Sequence, residues 1–335
     1  MTQNLVSILT PFKNTSAYLS ECITSILNQT YENWELLIIN DSSTDESKAI
    51  VAAFAKEDSR IRLFDNPGQG IIEALRFALE QSRGQYVTRM DSDDIMPPHK
   101  LEYMVNALKQ HGEGHIAVGL VKYFSETEVT EGYQIYEQWL NKLTQTSNNF
   151  DELYKECVIP SPCWMTSKKD LLRCDAFNPN RYPEDYDLTF RFYKHGLKCI
   201  PCDTLLHHWR DHTKRTSKTH EHYEMDYFLD LKLHYFLELH YDNSRPLAVL
   251  GAGFKGKAIA KTLVELNIPF YWISENPNKQ EKRIYEQSLK PFDIFKTLNQ
   301  PQSIITVANP KAQAQLKGYM DHQNQTHMTD YFFFC

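Results

Sequence analysis

The chain reads as an α/β protein with a doubly wound sheet and a smaller α/β region behind it. Three observations predict this. Apolar, strand-like runs alternate with amphipathic helical stretches through the first ninety residues. Each strand-like run ends in a polar loop, so the loops gather on one edge of a parallel sheet. After residue 246 the pattern starts again as strand, glycine turn and helix.

Taken in order, Val6, Ser7, Ile8, Leu9 and Thr10 form a buried strand that Pro11 is expected to end. A helix over 17–28 carries Leu19, Cys22, Ile23, Ile26 and Leu27 at helical spacing. The run 34–40 is a second strand, stopped by the cap-rich turn 41–45, and a helix follows over about 46–56. A third strand spans 60–64, Gly68-Gln69-Gly70 opens a helix over 71–81, and 85–90 is the fourth strand. This β-α-β-α-β-α-β order predicts parallel pairing. Residues 120–165 show weak pattern. Glu184 and Asp185, after Pro183, stand in the first turn of a helix with apolar Leu188, Phe190 and Phe192. The region 199–206 is strand-like and precedes Trp209-Arg210-Asp211-His212.

With 335 residues the chain is long enough for two domains, and 41% hydrophobic residues support ordinary cores. A net charge of -7 argues against a general nucleic-acid binder. The start lacks the basic and apolar regions of a signal peptide, and no apolar run approaches the ~20 residues of a membrane span. Seven cysteines with a lone CxxC, Cys199 and Cys202, fit reduced thiols in a cytoplasmic protein better than a zinc or redox site.

The most informative stretch is Arg89-Met90-Asp91-Ser92-Asp93-Asp94-Ile95. Three carboxylates within four residues at a strand end repel one another unless a cation holds them together. A hard divalent ion bridging aspartate oxygens to a diphosphate would do so; a turn or helix cap is the plainer alternative.

Five stretches in order and spacing resemble family 2 glycosyltransferases of the GT-A, nucleotide-diphospho-sugar transferase fold: 6–14 (VSILTPFKN), 25–31 (SILNQTY), 34–45 (WELLIINDSSTD), 70–94 and 184–188 (EDYDL). The resemblance covers the first ~215 residues. It implies an inverting transfer from a nucleotide-diphospho-sugar, most simply a UDP-sugar, to a hydroxyl of a glycan or lipid-linked acceptor. Asp91 and Asp93 then match the DxD pair that binds Mn2+ or Mg2+, with Ser92 in the same loop and Asp94 sharing the metal or orienting a ligand. Asp41 matches the acceptor for a uracil imide N–H, although Asn40 stands where the family often has a first aspartate; a helix cap is the alternative. Thr10, Pro11 and Phe12 match the wall of the base pocket, with Phe12 as a stacking face and Lys13 and Asn14 following. Asp185 matches the general base, beside Glu184. His212 is implied as a metal or diphosphate ligand and Arg210 as a phosphate contact. Lys214 and Arg215 lie in a loop that could cover the diphosphate. Gly70 lets the backbone approach the donor, and Arg89 neutralises the acidic cluster or contacts the sugar. Trp164 is either a sugar platform or a core residue. Arg76 replaces a frequent asparagine, without an evident reason in the sequence.

The domains are expected at 1–218 for the transferase, 219–243 for a helical linker and 244–335 for a Rossmann-like module. The linker helix, with Tyr223, Tyr227, Leu231, Tyr235 and Leu239, suits packing between domains or in a homodimer. Peripheral contact with the inner face of a membrane is the weaker reading, since its polar face mixes acids and histidines. In the last region Gly251-Ala252-Gly253-Phe254-Lys255-Gly256 follows a strand at 247–250 and opens a helix, the context of a phosphate turn. Glu275, after the strand 270–274, stands where a ribose hydroxyl would be held. Strands at 303–307 and 331–334 complete a four-stranded sheet. This region is read either as a nicotinamide-dependent, sugar-modifying module or as a docking platform whose glycines serve tight packing.

Overall fold

A computed structural model of the chain describes residues 4–178, 180–213, 215, 225–276 and 283–335. It divides into two compact units, Met1–Phe150 with Val158–Thr219, and Asp151–Cys157 with His220–Cys335.

The first unit is built on a seven-stranded sheet in the order β3-β2-β1-β4-β6-β5-β7. The strands are β1 (Val6–Phe12), β2 (Trp34–Asn40), β3 (Ile61–Asp65), β4 (Tyr86–Arg89), β5 (His115–Phe124), β6 (Trp164–Ser167) and β7 (Lys198–Arg210). The first four pair in parallel, as the alternation predicts. The sheet is not wholly parallel, however: β6 runs antiparallel to both β4 and β5. The helices α1 (Ser16–Leu27), α2 (Ser47–Glu57) and α3 (Ile71–Gln81) connect the first four strands. Each buries an apolar stripe: α1 covers Leu19, Cys22, Ile23 and Ile26, and α3 covers Ile72, Leu75, Ala78 and Leu79.

Three sequence expectations need correction. Pro11 does not end β1 but lies inside it. The Leu9 carbonyl accepts from Met90 N–H and the Phe12 carbonyl from Asp41 N–H, so Pro11 turns its missing N–H toward β4. The β4 ladder has already stopped at Arg89, so no hydrogen bond is lost there. After α4 (Lys100–His111), the stretch 120–165 holds the second half of β5, then α5 (Glu131–Thr146), and the start of β6. Finally, β7 runs through Trp209 and Arg210 rather than stopping near residue 206, because it pairs with β5 to Phe124 across a register irregularity. Helices α6 (Lys168–Arg173) and α7 (Glu184–Lys194) lie between β6 and β7.

The second unit holds a four-stranded sheet ordered β13-β12-β8-β9, all parallel. Its strands are β8 (Leu247–Leu250), β9 (Tyr271–Ile273), β12 (Gln302–Ile305) and β13 (Tyr331–Phe333), with a short β10 (Arg283–Ile284) and β11 (Gln287–Ser288) hairpin apart. The helices are α8 (Met225–Leu239), α9 (Phe254–Glu265), α10 (Phe292–Phe295) and α11 (Pro310–His322). Residues 220–224 of the expected linker helix lie outside the described residues. Alternate residues of β13 face opposite sides: Tyr331 and Phe333 join a core with Ile305, Phe295 and Met320. Phe332 meets Tyr154 and Phe236 at ring separations of 5.3 and 5.1 Å. Gly251 has φ +115, and a Cβ on Gly256 would stand 2.2 Å from the Gly251 carbonyl oxygen. Close packing of α9 on β8 therefore requires that glycine. Glu275 accepts the Phe292 N–H at the start of α10 (3.2 Å).

Candidate active site

The polar loops after β1, β2 and β4 meet at the carboxyl edge of the first sheet. Asp41 follows β2 and is buried. Its Oδ1 accepts from Asn66 Nδ2 (2.8 Å) and from the Gly70 N–H (2.9 Å), and Lys13 Nζ approaches Oδ2 at 3.5 Å. Asp41 is not a helix cap: α2 starts at Ser47, whose N–H is taken by Asp45 Oδ1. Asn40 locks the turn beneath it, donating to Asp65 and accepting from Ser43 N–H. Gly70 has φ +88, a left-handed conformation that favours glycine, and its N–H reaches Asp41 because of it.

Thr10, Pro11 and Phe12 lie at the end of β1, but Phe12 does not present a stacking face. It is 2% exposed and packs in the core with Val6 and Ile8. Strand pleating puts residues 6, 8 and 12 on one face, and the neighbouring Lys13 is the side chain that emerges beside Asp41.

The three carboxylates of the acidic loop each have partners of their own. Asp91 Oδ1 takes the Arg89 Nε–H (2.8 Å). Burial raises its pKa, with Asp93 and Glu184 adding and Arg89 opposing. Ser92 Oγ bonds Thr15 Oγ1 at 3.1 Å and ties the loop to the start of α1. Asp93 Oδ2 lies 2.8 Å from His212 Nε2, and both side chains are partly exposed. Asp94 is different. At 1% exposure it accepts the Arg210 N–H (2.7 Å) on Oδ1 and meets His207 Nε2 (2.8 Å) on Oδ2. Burial holds His207 neutral and pushes the Asp94 carboxyl well up, so the two share one buried hydrogen bond. Asp94 is therefore an anchor between the loop and β7, rather than a metal or ligand contact.

Arg210 is also committed within the fold. Its Nε donates to the Asp93 carbonyl (2.7 Å), its guanidinium pairs with Glu21, and it lies over Tyr18 and Phe124 at 5.0 and 4.5 Å. It braces the backbone of the acidic loop, and that replaces the expected phosphate contact. Arg215 sits over Trp209, Tyr123 and Tyr133 at 5.2, 5.7 and 5.7 Å; Lys214 lies outside the described residues. Trp164 is 2% exposed and meets Phe192 edge-on, which makes it a core residue rather than a sugar platform. Burial pushes the Cys199 and Cys202 thiols up to about 12, which disfavours the thiolate that metal or redox chemistry needs.

Arg89 spans the site. Besides Asp91 it donates from Nη1 to Glu184 Oε1 (3.0 Å), in the first turn of α7. Asp185 is next in that turn, and its Oδ1 accepts the Tyr186 N–H (2.8 Å). Burial, with the Glu184 charge beside it, pushes the Asp185 carboxyl up to about 7, against the pull of Arg89. A carboxylate so placed can take a proton near neutral pH. Among the described residues, no three His, Cys, Asp or Glu side chains converge on one point. The pair Asp93 and His212, with Asp91 nearby in the loop, would need further oxygen donors to hold Mg2+ or Mn2+. A diphosphate supplies such donors, so these residues fit an ion that binds with its ligand.

The sequence profile described as Glycosyl transferase family 2 matches residues 7–174. The chain belongs to glycosyltransferase family 2. It is 28% identical over 216 residues to the glycosyltransferase GlyG of Streptococcus pneumoniae, covering 62% of this chain and 70% of that protein. An uncharacterised glycosyltransferase of Haemophilus influenzae is 38% identical over 155 residues, 46% of this chain and 57% of its own length. The Escherichia coli enzyme WfgD, a UDP-Glc:alpha-D-GlcNAc-diphosphoundecaprenol beta-1,3-glucosyltransferase, is 29% identical over 215 residues, covering 63% and 78%. Among solved structures, Staphylococcus aureus TarS with UDP-GlcNAc superposes with a TM-score of 0.55 at 16% identity, over 78% of this chain and 71% of that one. The Pyrobaculum calidifontis mannosyltransferase PcManGT with GDP-Man and Mn2+ gives 0.52 at 16%, over 80% and 72%. At that identity the likeness is one of fold, the GT-A sheet.

One set of contacts beside this candidate site is not legible from its motifs. Arg76, on α3, reaches the segment before α7: Nε and Nη2 donate to the Phe177 carbonyl (3.0 and 2.7 Å), and Nη2 also to Asn180 Oδ1 (2.6 Å). Glu73 Oε1 accepts from Arg76 Nη1 (2.9 Å) and Asn180 Nδ2 (3.0 Å). The partners lie 101 residues apart; only the odd arginine in an asparagine position hinted at them.

Proposed function

We propose that this glycosyltransferase moves a sugar, with inversion, from a UDP-sugar to a hydroxyl of a glycan or lipid-linked acceptor. The observation that carries this reading is the continuous polar link across the sheet edge: His212 to Asp93 in the acidic loop, then Asp91 to Arg89 to Glu184, with Asp185 adjacent. The names of the relatives support a nucleotide-sugar donor, UDP-Glc for WfgD and UDP-GlcNAc for TarS. Asp41 would accept the uracil imide N–H on Oδ2, since Oδ1 already takes two hydrogen bonds. Asp93 and His212, with Asp91, would hold Mn2+ or Mg2+, which neutralises charge on the departing diphosphate. Asp185 accepts the acceptor proton while the acceptor oxygen bonds to the anomeric carbon and the bond from that carbon to the diphosphate oxygen breaks. Arg89 keeps Asp91 and Glu184 together, so the donor-side loop and the base-bearing helix share one fixed point. No helix among the described residues is long and apolar enough to cross a membrane; we assign the enzyme to the cytoplasm, where nucleotide sugars are the donors at hand.

Calorimetric titration of UDP with Mn2+ tests the reading. The wild-type chain is expected to bind only with the metal, and Asp93→Asn to lose that binding. Binding of GDP or CDP in preference to UDP would overturn the role given to Asp41.

A further inference from the structure

The residues between α6 and α7 carry no role in the mechanism above, yet they hold a polar side chain against the nucleotide end of the site. A Cβ placed on Gly70 would stand 3.2 Å from Tyr182 Oη. Gly70 is also the residue whose N–H binds Asp41. The Tyr182 hydroxyl therefore lies beside the loop that fixes the proposed base acceptor, two residues before Glu184. Burial pushes the Tyr182 phenol up, and Glu184, Asp41 and Glu73 add to that; the group stays a neutral O–H donor.

What holds this segment is the Arg76 clamp. Glu73 and Arg76 by themselves are a surface pair at i,i+3 spacing, of little worth. Here Arg76 also makes three hydrogen bonds to Phe177 and Asn180. The chain it grips is bent into left-handed conformations at Asp175 (φ 52) and Phe177 (φ 62), which non-glycine residues adopt only when the surroundings impose them. Its far end reaches the Gly70 loop and Asp185. The clamp thus ties α3, which begins at the nucleotide loop, to the helix carrying the general base.

We propose that Tyr182 contacts the nucleoside of the donor, through its hydroxyl and ring, and that Arg76, with Glu73 and Asn180, is a positioning residue that sets Tyr182 there. This rests on the UDP-sugar reading. Tyr182 then adds a hydrogen-bond donor to a pocket in which Asp41 offers only an acceptor, so the two recognise complementary groups of one nucleoside.

Calorimetry of UDP with Mn2+ on the full chain tests it, with urea unfolding of each variant alongside. Tyr182→Ala is expected to weaken UDP about tenfold, the scale of one lost hydrogen bond with its ring contact. Tyr182→Phe should weaken it several-fold, and this near-isosteric variant decides the matter if Tyr182→Ala does not fold. Arg76→Ala should also weaken UDP, and the double variant Arg76→Ala/Tyr182→Ala should bind no worse than Tyr182→Ala alone, because the arginine acts through the tyrosine. Additive losses would overturn the clamp. Unchanged binding in Tyr182→Ala and Tyr182→Phe, with the wild type binding UDP, would overturn the contact while leaving the UDP-sugar reading intact. A wild type that binds none of UDP, GDP, CDP and dTDP would overturn both.

Discussion

At the scale of single residues, the site separates groups that do chemistry from groups that hold them. Asp185 is held up to about 7 by burial and Glu184, opposed by Arg89, with Asp91 adding a smaller upward push. Below that pH the carboxyl keeps its proton and cannot accept another; above it the carboxylate can accept one, as the proposed base must. Turnover of the UDP-sugar should therefore rise with pH through about 7 and level off, read as initial rates at saturating donor. Arg89→Gln removes the charge that pulls this value down, so the midpoint should move to higher pH. Asp185→Asn should lower turnover by about 10²–10⁴ while UDP binding with Mn2+ is kept. A loss of binding equal to the loss of turnover would move Asp185 out of the base role. The carboxylates proposed for catalysis and metal binding could be singled out from sequence because each stands in a short motif just after a strand or at the first turn of a helix. Phe12 was misread because strand parity, not adjacency, decides which of Phe12 and Lys13 faces outward. Asp94 was misread because its partner His207 is 113 residues away.

At the scale of elements, the acidic loop is held between β4 and β7. Met90 N–H bonds the Leu9 carbonyl, Ile95 and His208 exchange backbone hydrogen bonds, and Asp94 caps the Arg210 N–H. Replacing Asp94 with alanine leaves that N–H and His207 Nε2 without their buried partner. Stability should fall by about 1–3 kcal/mol, read from the urea midpoint. The Mn2+ requirement for UDP should weaken only as far as the loop loosens. His212→Ala is the contrasting case: stability little changed, and more Mn2+ needed for half-maximal UDP binding. The alternation of elements up to β4 follows directly from local apolar spacing, which is why helices α1 to α3 and strands β2 to β4 lie within a residue or two of their expected bounds. Beyond it, β5 and β6 were obscure. β6 is only four residues long and gains its place from antiparallel pairing on both sides, a non-local term that no window of sequence contains.

At the scale of the molecule, the second unit depends on its own close contacts. Alanine at Gly256 would drive a Cβ into the Gly251 carbonyl oxygen at 2.2 Å and toward Thr306 Oγ1 at 2.8 Å. Calorimetric unfolding of Gly256→Ala should show a transition at lower temperature for this unit, with UDP and Mn2+ binding retained. Loss of nucleotide binding in that variant would instead tie the second unit to the donor site. The second unit also takes a seven-residue piece, Asp151–Cys157, from far upstream. Tyr154 in that piece is buried against Phe236, Phe332 and Phe334, with the last ring stacked at 5.1 Å, and Lys155 lends its carbonyl to the buried Lys232. During synthesis the ribosome releases Tyr154 long before those three rings exist. The nascent chain carries Tyr154 without its full set of ring partners until β13 has been made, and a variant lacking the Phe332 and Phe334 rings would leave that side chain in water and open the unit to proteolysis.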